Sequence, residues 1–551
     1  MKKVLLAVGV FFSLVNAHAQ IRVGLENNSQ WYVDDKKIKL DPIEAEKDRF
    51  RANSYLKVDY DYKNWSFGTQ LESYAPNPML NYNPEFKNFD IGTIYARYNN
   101  AEKGLDVTAG HFYDQFGSGL LFRAWEDRQL GVNNAVFGLN AKYNIDSWGK
   151  VTVMGGKQRI GMGFDFAKSM LFGADLSVSI DDLLGWDNHL LSFGASYLGR
   201  KLDDDNEDNE NLNDFNSNFA IRADYALGGF YLGAEYVRND KDYVIQSGFV
   251  KPDTKQKGEG FLINSGYFQK GMSIDVNLRR IENIQNASQR EFIGNEYLTG
   301  VINYVPALTK QYDYSLQNIY VYQAQGSIDW LGKRAGEIGG QFDFYYEFPK
   351  GSVLGGEFGT NLVVNGSYWA GLKTEMNFDK QELESKWLDF GEKYYRDFGI
   401  EVRKKWSNSW SSIFMYLDQY YNMKALEGKF EDVNARILSA ETTYQFLDNK
   451  SVRLEAQHMW ADRDKKNWVG GTLEFAYNAN WAVFVNDMYN YGNDDKEKRI
   501  HYYNAGVSYT KGTTRVSTSY GRQRGGLLCV GGVCRYVTEA AGLTVGITTS
   551  F

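Results

Sequence analysis

The chain has 551 residues, with 61 Lys and Arg against 69 Asp and Glu and a formal net charge of −8. An acidic balance offers no basic face to nucleic acid. The aromatic content of 16% argues against disorder, and the repeated apolar runs of about 20 residues that a helical membrane bundle needs are missing.

The first element is an export signal. Lys2 and Lys3 form a positive n-region, Val4 to Val15 an apolar h-region, and Ala17-His18-Ala19 an A-x-A cleavage site. Residues 1–19 therefore read as a signal peptide, and 20–551 as the mature chain beginning at Gln20. The apolar run is too short for a membrane anchor. Export predicts an oxidising compartment.

From Ile21–Leu25 onward one pattern repeats: segments of about 10 residues alternate apolar and polar, and a turn follows. Phe219, Ile221, Ala223 and Tyr225 alternate with Ala220, Arg222 and Asp224, then Leu227-Gly228-Gly229 turns the chain. Leu438, Ala440, Thr442 and Tyr444 alternate with Ser439, Glu441 and Thr443. Such strands have one wet face and one apolar face. A soluble sandwich would bury the apolar faces. Against it, the pattern runs for about 500 residues without a linker, far beyond one ordinary core. Aromatic residues also recur at segment ends, as in the interfacial girdles of membrane barrels.

Short connections fall near Lys63-Asn64, Ala101–Gly104, Asp146–Gly149, Leu227–Gly229, Lys270-Gly271, Ser407–Ser409, Leu447–Lys450, Ala479-Asn480 and Lys511–Thr513. Longer polar stretches lie between them, at 75–89, 113–134, 200–217, 239–259, 422–433 and 492–500. Segments 283–336 and 349–395 resist this parsing. The prediction is an all-β protein: a single large antiparallel up-and-down transmembrane β-barrel of about 24 strands (range about 22–26), with both termini periplasmic. No separate plug domain is expected, so loops must fold inward or the pore is wide.

The loop 113–134 is the best candidate for a constriction. Gly117-Ser118-Gly119 breaks the strand, Leu120-Leu121-Phe122 offers an apolar anchor, and Asp114, Arg123, Glu126, Asp127 and Arg128 supply both signs of charge. Fixed charges at a narrowing set ion and solute selectivity. The alternative is a surface loop held by its own ion pairs. Gly117-Ser118-Gly119 lacks the strand, helix and Lys of a phosphate loop.

The acidic run Asp203–Glu210 carries many oxygen ligands, but without the EF-hand spacing and glycine it reads as a solvated outer loop. Catalysis finds little support. None of His111, His189, His458 and His501 has a metal-like neighbour, and neither GxSxG nor HExxH occurs. His111, beside Tyr113 and Asp114, is the one histidine to check. No enzyme, cofactor or metal site is expected. Inward positions such as Arg222, Asp224, Glu235, Glu441, Arg453, Glu455, Glu474 and Arg515 carry both signs and describe a polar lumen.

Near the C-terminus stand the only cysteines, in Cys529-Val530-Gly531-Gly532-Val533-Cys534. Gly-Gly is a two-residue hairpin signal, which sets Cys529 opposite Cys534 at the close spacing a disulfide needs. The expected role is to pin a loop on the cell-surface side. Leu543, Val545, Ile547, Thr549 and Phe551 then alternate to the end of the chain, and the terminal Phe551 resembles the assembly signal of outer-membrane proteins.

The stretch Arg522–Arg535, followed by Gly542–Phe551, and the stretch His111–Leu120 together resemble a Bacteroidota family of outer-membrane β-barrel proteins of unassigned function. The resemblance implies fold and compartment, and carries over no functional residue. The expected partners are outer-membrane lipid and the barrel-assembly machinery. Two functions are expected in turn: a channel or transporter narrowed by loop 113–134, or a plugged structural barrel that holds a surface partner. With no TonB-binding segment visible near Gln20, energy-coupled uptake by this chain alone is not expected.

Overall fold

The computed structural model describes residues 19–38, 48–202, 215–246, 249–288, 298, 300–429 and 431–551. The proposed signal peptide, apart from Ala19, and the acidic run 203–210 lie outside the described residues.

The chain folds into one closed 24-stranded antiparallel sheet, each strand paired with its neighbours in sequence. The first strand, Ala19–Tyr32, closes on the last, Ala540–Ser550, in a register running from Gly24 opposite Ser550 to Tyr32 opposite Gly542. Phe551 extends that ladder, its backbone N–H donating to the Val23 carbonyl at 2.8 Å and its carbonyl accepting from Val23 at 3.1 Å. Its ring is exposed. Among the described residues helix is confined to short turns such as Ile180–Leu184 and Met423–Glu427, and no described helix is long and apolar enough to cross a membrane.

The alternation decides which side chain faces where. Ile221, Leu454 and Val485 point outward and stay 56%, 52% and 47% exposed, whereas Arg222 on the opposite face pairs with Asp175 inside the barrel at 2.9 Å. The outer face is thus an aliphatic band. Exposed aromatic residues border it. Tyr62 and Trp65, Trp406 and Trp410, and Tyr477 and Trp481 flank short turns at one rim. Trp31, Phe50, Phe215 and Trp460 flank longer connections at the other. A monomer in water does not keep an apolar surface of this extent bare.

All nine of the predicted short connections lie at one rim, joining consecutive strands such as Phe50–Tyr62 and Trp65–Tyr74. The long connections share the opposite rim. Stretch 239–259 departs from the reading. It is not a loop, because the strands Phe230–Gln246 and Phe249–Gln269 continue through it as a hairpin, with register shifts between Asn239 and Asp242 and between Tyr243 and Ile245. In this extension the buried positions are mostly polar, such as Asn239, Thr254 and Gln256, so the apolar and polar alternation that marks a strand in sequence is missing. The unparsed stretch 349–395 holds the whole strand Thr360–Asn377 and the first part of the 24-residue strand Glu382–Lys405. The described residues of 283–335 contribute no barrel strand, and 300–325 enters the lumen.

The cysteine hairpin forms as read. Strands Gly526–Val530 and Val533–Val537 set Cys529 opposite Cys534, with Cα atoms 4.0 Å apart and a disulfide between them. Gly531 and Gly532 take φ of 57° and 80°, the pair of left-handed residues that a type I′ turn demands. The hairpin springs from the long-loop rim but folds inward: the Gly532 carbonyl accepts from Ala307 N–H at 2.8 Å and that of Gly531 from the Tyr304 hydroxyl at 2.5 Å. The double variant Cys529→Ser/Cys534→Ser is expected to leave the barrel folded. It should loosen this tip by about 2 kcal/mol, as expected for a short closed loop. Faster proteolysis within 524–539, with the barrel band intact on a gel, is the readout.

Candidate functional site

Loop 113–135, segment 300–325 and the cysteine hairpin meet inside the barrel. Loop 113–135 docks on the inner wall: Phe116, Leu120, Leu121 and Phe122 are buried against Val136, Leu171, Leu198 and Val237. Each such side chain is worth roughly 1.5–3 kcal/mol when fully buried. The Ser118 N–H also donates to Glu235 Oε2 at 2.9 Å. Segment 300–325 packs against the opposite wall, where Tyr312, Tyr314, Leu316, Tyr320 and Tyr322 join Trp369, Tyr395, Leu417, Ile437 and Met459 in a second buried cluster. The loops also bond to each other. Arg123 N–H donates to the Ile302 carbonyl at 3.0 Å and Tyr304 N–H to that of Gly119 at 2.9 Å. Asn303 Nδ2 donates to the Leu120 carbonyl at 2.9 Å.

The proposed constriction residues share a loop without forming one ring. Asp114 is tied to the wall, 3.0 Å from Lys142 Nζ and 2.6 Å from Asn140 Nδ2. The Arg123 guanidinium stacks over Tyr304 at 3.9 Å and lies 5.0 Å from the Trp125 ring. Glu126 and Arg128 pair at 3.2 Å, and both reach the wall: Arg128 contacts Glu26 at 2.5 Å and Gln70 at 3.0 Å, and Glu126 accepts from Gln70 at 2.9 Å. Asp127 accepts from the Leu130 N–H at 2.8 Å, closing the loop's own turn. The loop is docked inside the barrel rather than on the surface, and its charges pair mostly with wall residues.

His111 is separated from its sequence neighbours. Its Nδ1 accepts the Ile94 N–H at 3.0 Å, and its ring packs 4.9 Å from that of Phe137. Tyr113 bonds Asn133 instead, at 3.0 Å. Among the described residues no cluster of three or more potential metal ligands occurs.

A buried clamp fastens the long insertion. Glu337, on the strand Gly336–Phe348, accepts from Arg279 at 2.6 Å, from the Tyr322 hydroxyl at 2.5 Å and from the Gln325 N–H at 2.7 Å. Arg279 also donates to the Pro306 carbonyl at 2.7 Å. Trp369 Nε1 donates to the Leu308 carbonyl at 3.1 Å. Burial and the Glu337 carboxylate push the Tyr322 phenol well above its ordinary range.

Segment 310–325 divides two polar chambers. Toward the short-turn ends of the strands lies a cavity of about 700 Å³, bounded by Lys310–Ser315 and wall residues that include Glu401, Glu441, Arg453 and Glu474. It holds six carboxylates against three cationic side chains. Toward the long-loop rim lies a vestibule of about 1150 Å³, bounded by Asn318, Val321 and Gln325 and by the loops around Tyr82, Leu426, Lys465 and Arg524. It holds five cationic side chains against two carboxylates. Burial pulls Lys465, Arg524 and Arg535 below their ordinary values. Segment 310–325 and the clamp were not singled out by the sequence reading. The signal available was negative: five tyrosines between 304 and 322 without alternation and without a turn pattern.

The whole chain, residues 1–551, matches the Family of unknown function (DUF6029), and the protein belongs to that family. No curated protein matches it in sequence. Among solved structures it is similar to the siderophore receptor PirA from Pseudomonas aeruginosa, at 9% identity and a TM-score of 0.42, covering 97% of this chain and 80% of that one. It is also similar to the P pilus usher (PapC) translocation pore, at 8% identity and a TM-score of 0.41, covering 97% and 99%. The outer membrane transporter YddB from Escherichia coli gives 8% identity and a TM-score of 0.40, covering 96% and 81%.

Proposed function

We propose that the protein spans an outer membrane and acts as a channel or transporter whose lumen is narrowed by its own inserted loops. The aliphatic outer band between two aromatic borders supports the membrane location. One observation carries the transport reading. Polar chambers of about 700 and 1150 Å³ lie on the two sides of a partition formed by one segment, 310–325. A barrel that served only as a scaffold has no need of two polar chambers on either side of one partition.

A second reading rests on the interlocking of loops 113–135 and 300–325, which suits a plugged barrel that holds a partner. Single-channel conductance in a planar bilayer, with the disulfide intact, separates the two. The transport reading expects discrete steps from the wild type. It expects larger steps when 303–325 is replaced by a short Gly-Ser linker. Silence from both proteins, each shown folded and inserted, would establish the plugged barrel instead.

A further inference from the structure

The vestibule holds three cations that make no ion pair among the described residues. Arg524 donates to the carbonyls of Gly525 and Asn318, at 2.8 and 2.7 Å. Arg535 donates to the carbonyls of Gln129, at 3.1 Å, and Asn81, with its guanidinium 4.5 Å from the Tyr82 ring. Lys465 offers its backbone N–H to the Tyr320 hydroxyl, and its side chain has no ion pair among the described residues. Among the described residues no carboxylate lies within salt-bridge distance of any of the three. The two carboxylates of the cavity are engaged elsewhere: Glu427 with Lys429 at 2.6 Å, and Glu539 with the Tyr502 hydroxyl at 2.5 Å.

Gathering like charges in a half-buried cavity is unfavourable unless an anion joins them. Neutral carbonyl partners orient these guanidinium groups without cancelling their charge. The cavity is bounded by loops from opposite sides of the lumen, such as those around Tyr82 and Lys465, and not by the outer face. Its ligand therefore comes from solution and not from the bilayer. Its volume of about 1150 Å³ exceeds that of a single inorganic anion several times over. Apolar walls at Ile319, Val321 and Leu527 leave room for an organic frame.

We propose that the vestibule is a binding site for a soluble organic polyanion, bearing two or more carboxylate or phosphate groups, held by Lys465, Arg524 and Arg535. This deepens the channel reading and rests on it for its biological meaning. The acidic chamber beyond the partition repels the same anion, so the vestibule captures it at the mouth.

The test is calorimetric titration of the folded barrel in detergent with citrate and with pyrophosphate, which needs no conduction and so fails or succeeds apart from the channel assay. Saturable binding of at least one probe is expected, weakening as salt rises. The double variant Lys465→Met/Arg524→Gln should weaken it at least tenfold, and Arg524→Lys should retain most of it. Glu427→Gln should tighten it, because Lys429 is then released from its ion pair; a gain of affinity cannot arise from misfolding. The preference between citrate and pyrophosphate distinguishes a carboxylate from a phosphate ligand. Absence of saturable binding of either probe, or equal affinity in the wild type and the double variant, would overturn the proposal.

Discussion

Glu337→Ala is expected to unfasten the long insertion at a cost of roughly 3–5 kcal/mol, the usual penalty for removing one partner of a buried ion pair. The carboxylate is fully buried and serves three donors at once: Arg279, the Tyr322 hydroxyl and the Gln325 N–H. Removing it leaves a phenol and a backbone amide without an acceptor, and a guanidinium without its counter-charge, in a low-dielectric site. Arg279 keeps the Pro306 carbonyl and its place beside the Trp369 ring, so the wall strand should hold while 310–325 loosens. Amide exchange within 310–325 should accelerate several-hundred-fold, and protease should cut there first. Glu337→Gln retains an acceptor and should lie between. Under the channel reading the same variant opens the partition, so its conductance steps should exceed those of the wild type. Unchanged protection of 310–325 in Glu337→Ala would show that the apolar contacts of Tyr312, Leu316 and Tyr320 hold the segment without the clamp.

The barrel was legible because its cause is local. A strand that separates lipid-like from watery surroundings must alternate, and Phe219–Tyr225 does so residue by residue; its turn, Gly228-Gly229, is set by backbone geometry. The disulfide was legible for the same reason, since a Gly-Gly turn fixes which cysteine faces which. The docking of 113–134 followed from its apolar stretch Leu120–Phe122 between a Gly-rich break and mixed charges. Its partners were not legible. That Arg123 stacks on Tyr304 and Arg128 reaches Glu26 depends on pairings between segments roughly a hundred residues or more apart. The clamp is harder still: Arg279, Tyr322 and Glu337 stand on two strands and a loop, and none differs in sequence from many other inward charges or loop tyrosines. Where strands extend past the rim, as at 239–259, the buried positions are mostly polar, such as Asn239, Thr254 and Gln256, so the apolar periodicity disappears although the hydrogen bonds continue.

The inner chamber gives the second large effect. Arg453 lies 2.8 Å from Glu441, 2.6 Å from Glu455 and 3.2 Å from Glu474, one cation facing three carboxylates. Arg453→Ala removes the cation that offsets them and makes an already acidic chamber more so. A unit charge about 8 Å from a passing ion in water is worth about 0.5 kcal/mol, a factor of about 2 in the entry of each ion and about 5 in the ratio of cation to anion. The permeability ratio of K⁺ to Cl⁻, read from the reversal potential across a KCl gradient, should therefore rise about fivefold in Arg453→Ala. It should fall in Glu474→Gln, whose carboxylate is the most exposed of the three. Raising the salt should shrink both shifts, since screening shortens the reach of the chamber's charge. The signs follow from the chamber lying on the ion path. If both variants kept the wild-type ratio while conducting normally, ions would be crossing the barrel without entering the space around Arg453, and the two-chamber path would be wrong.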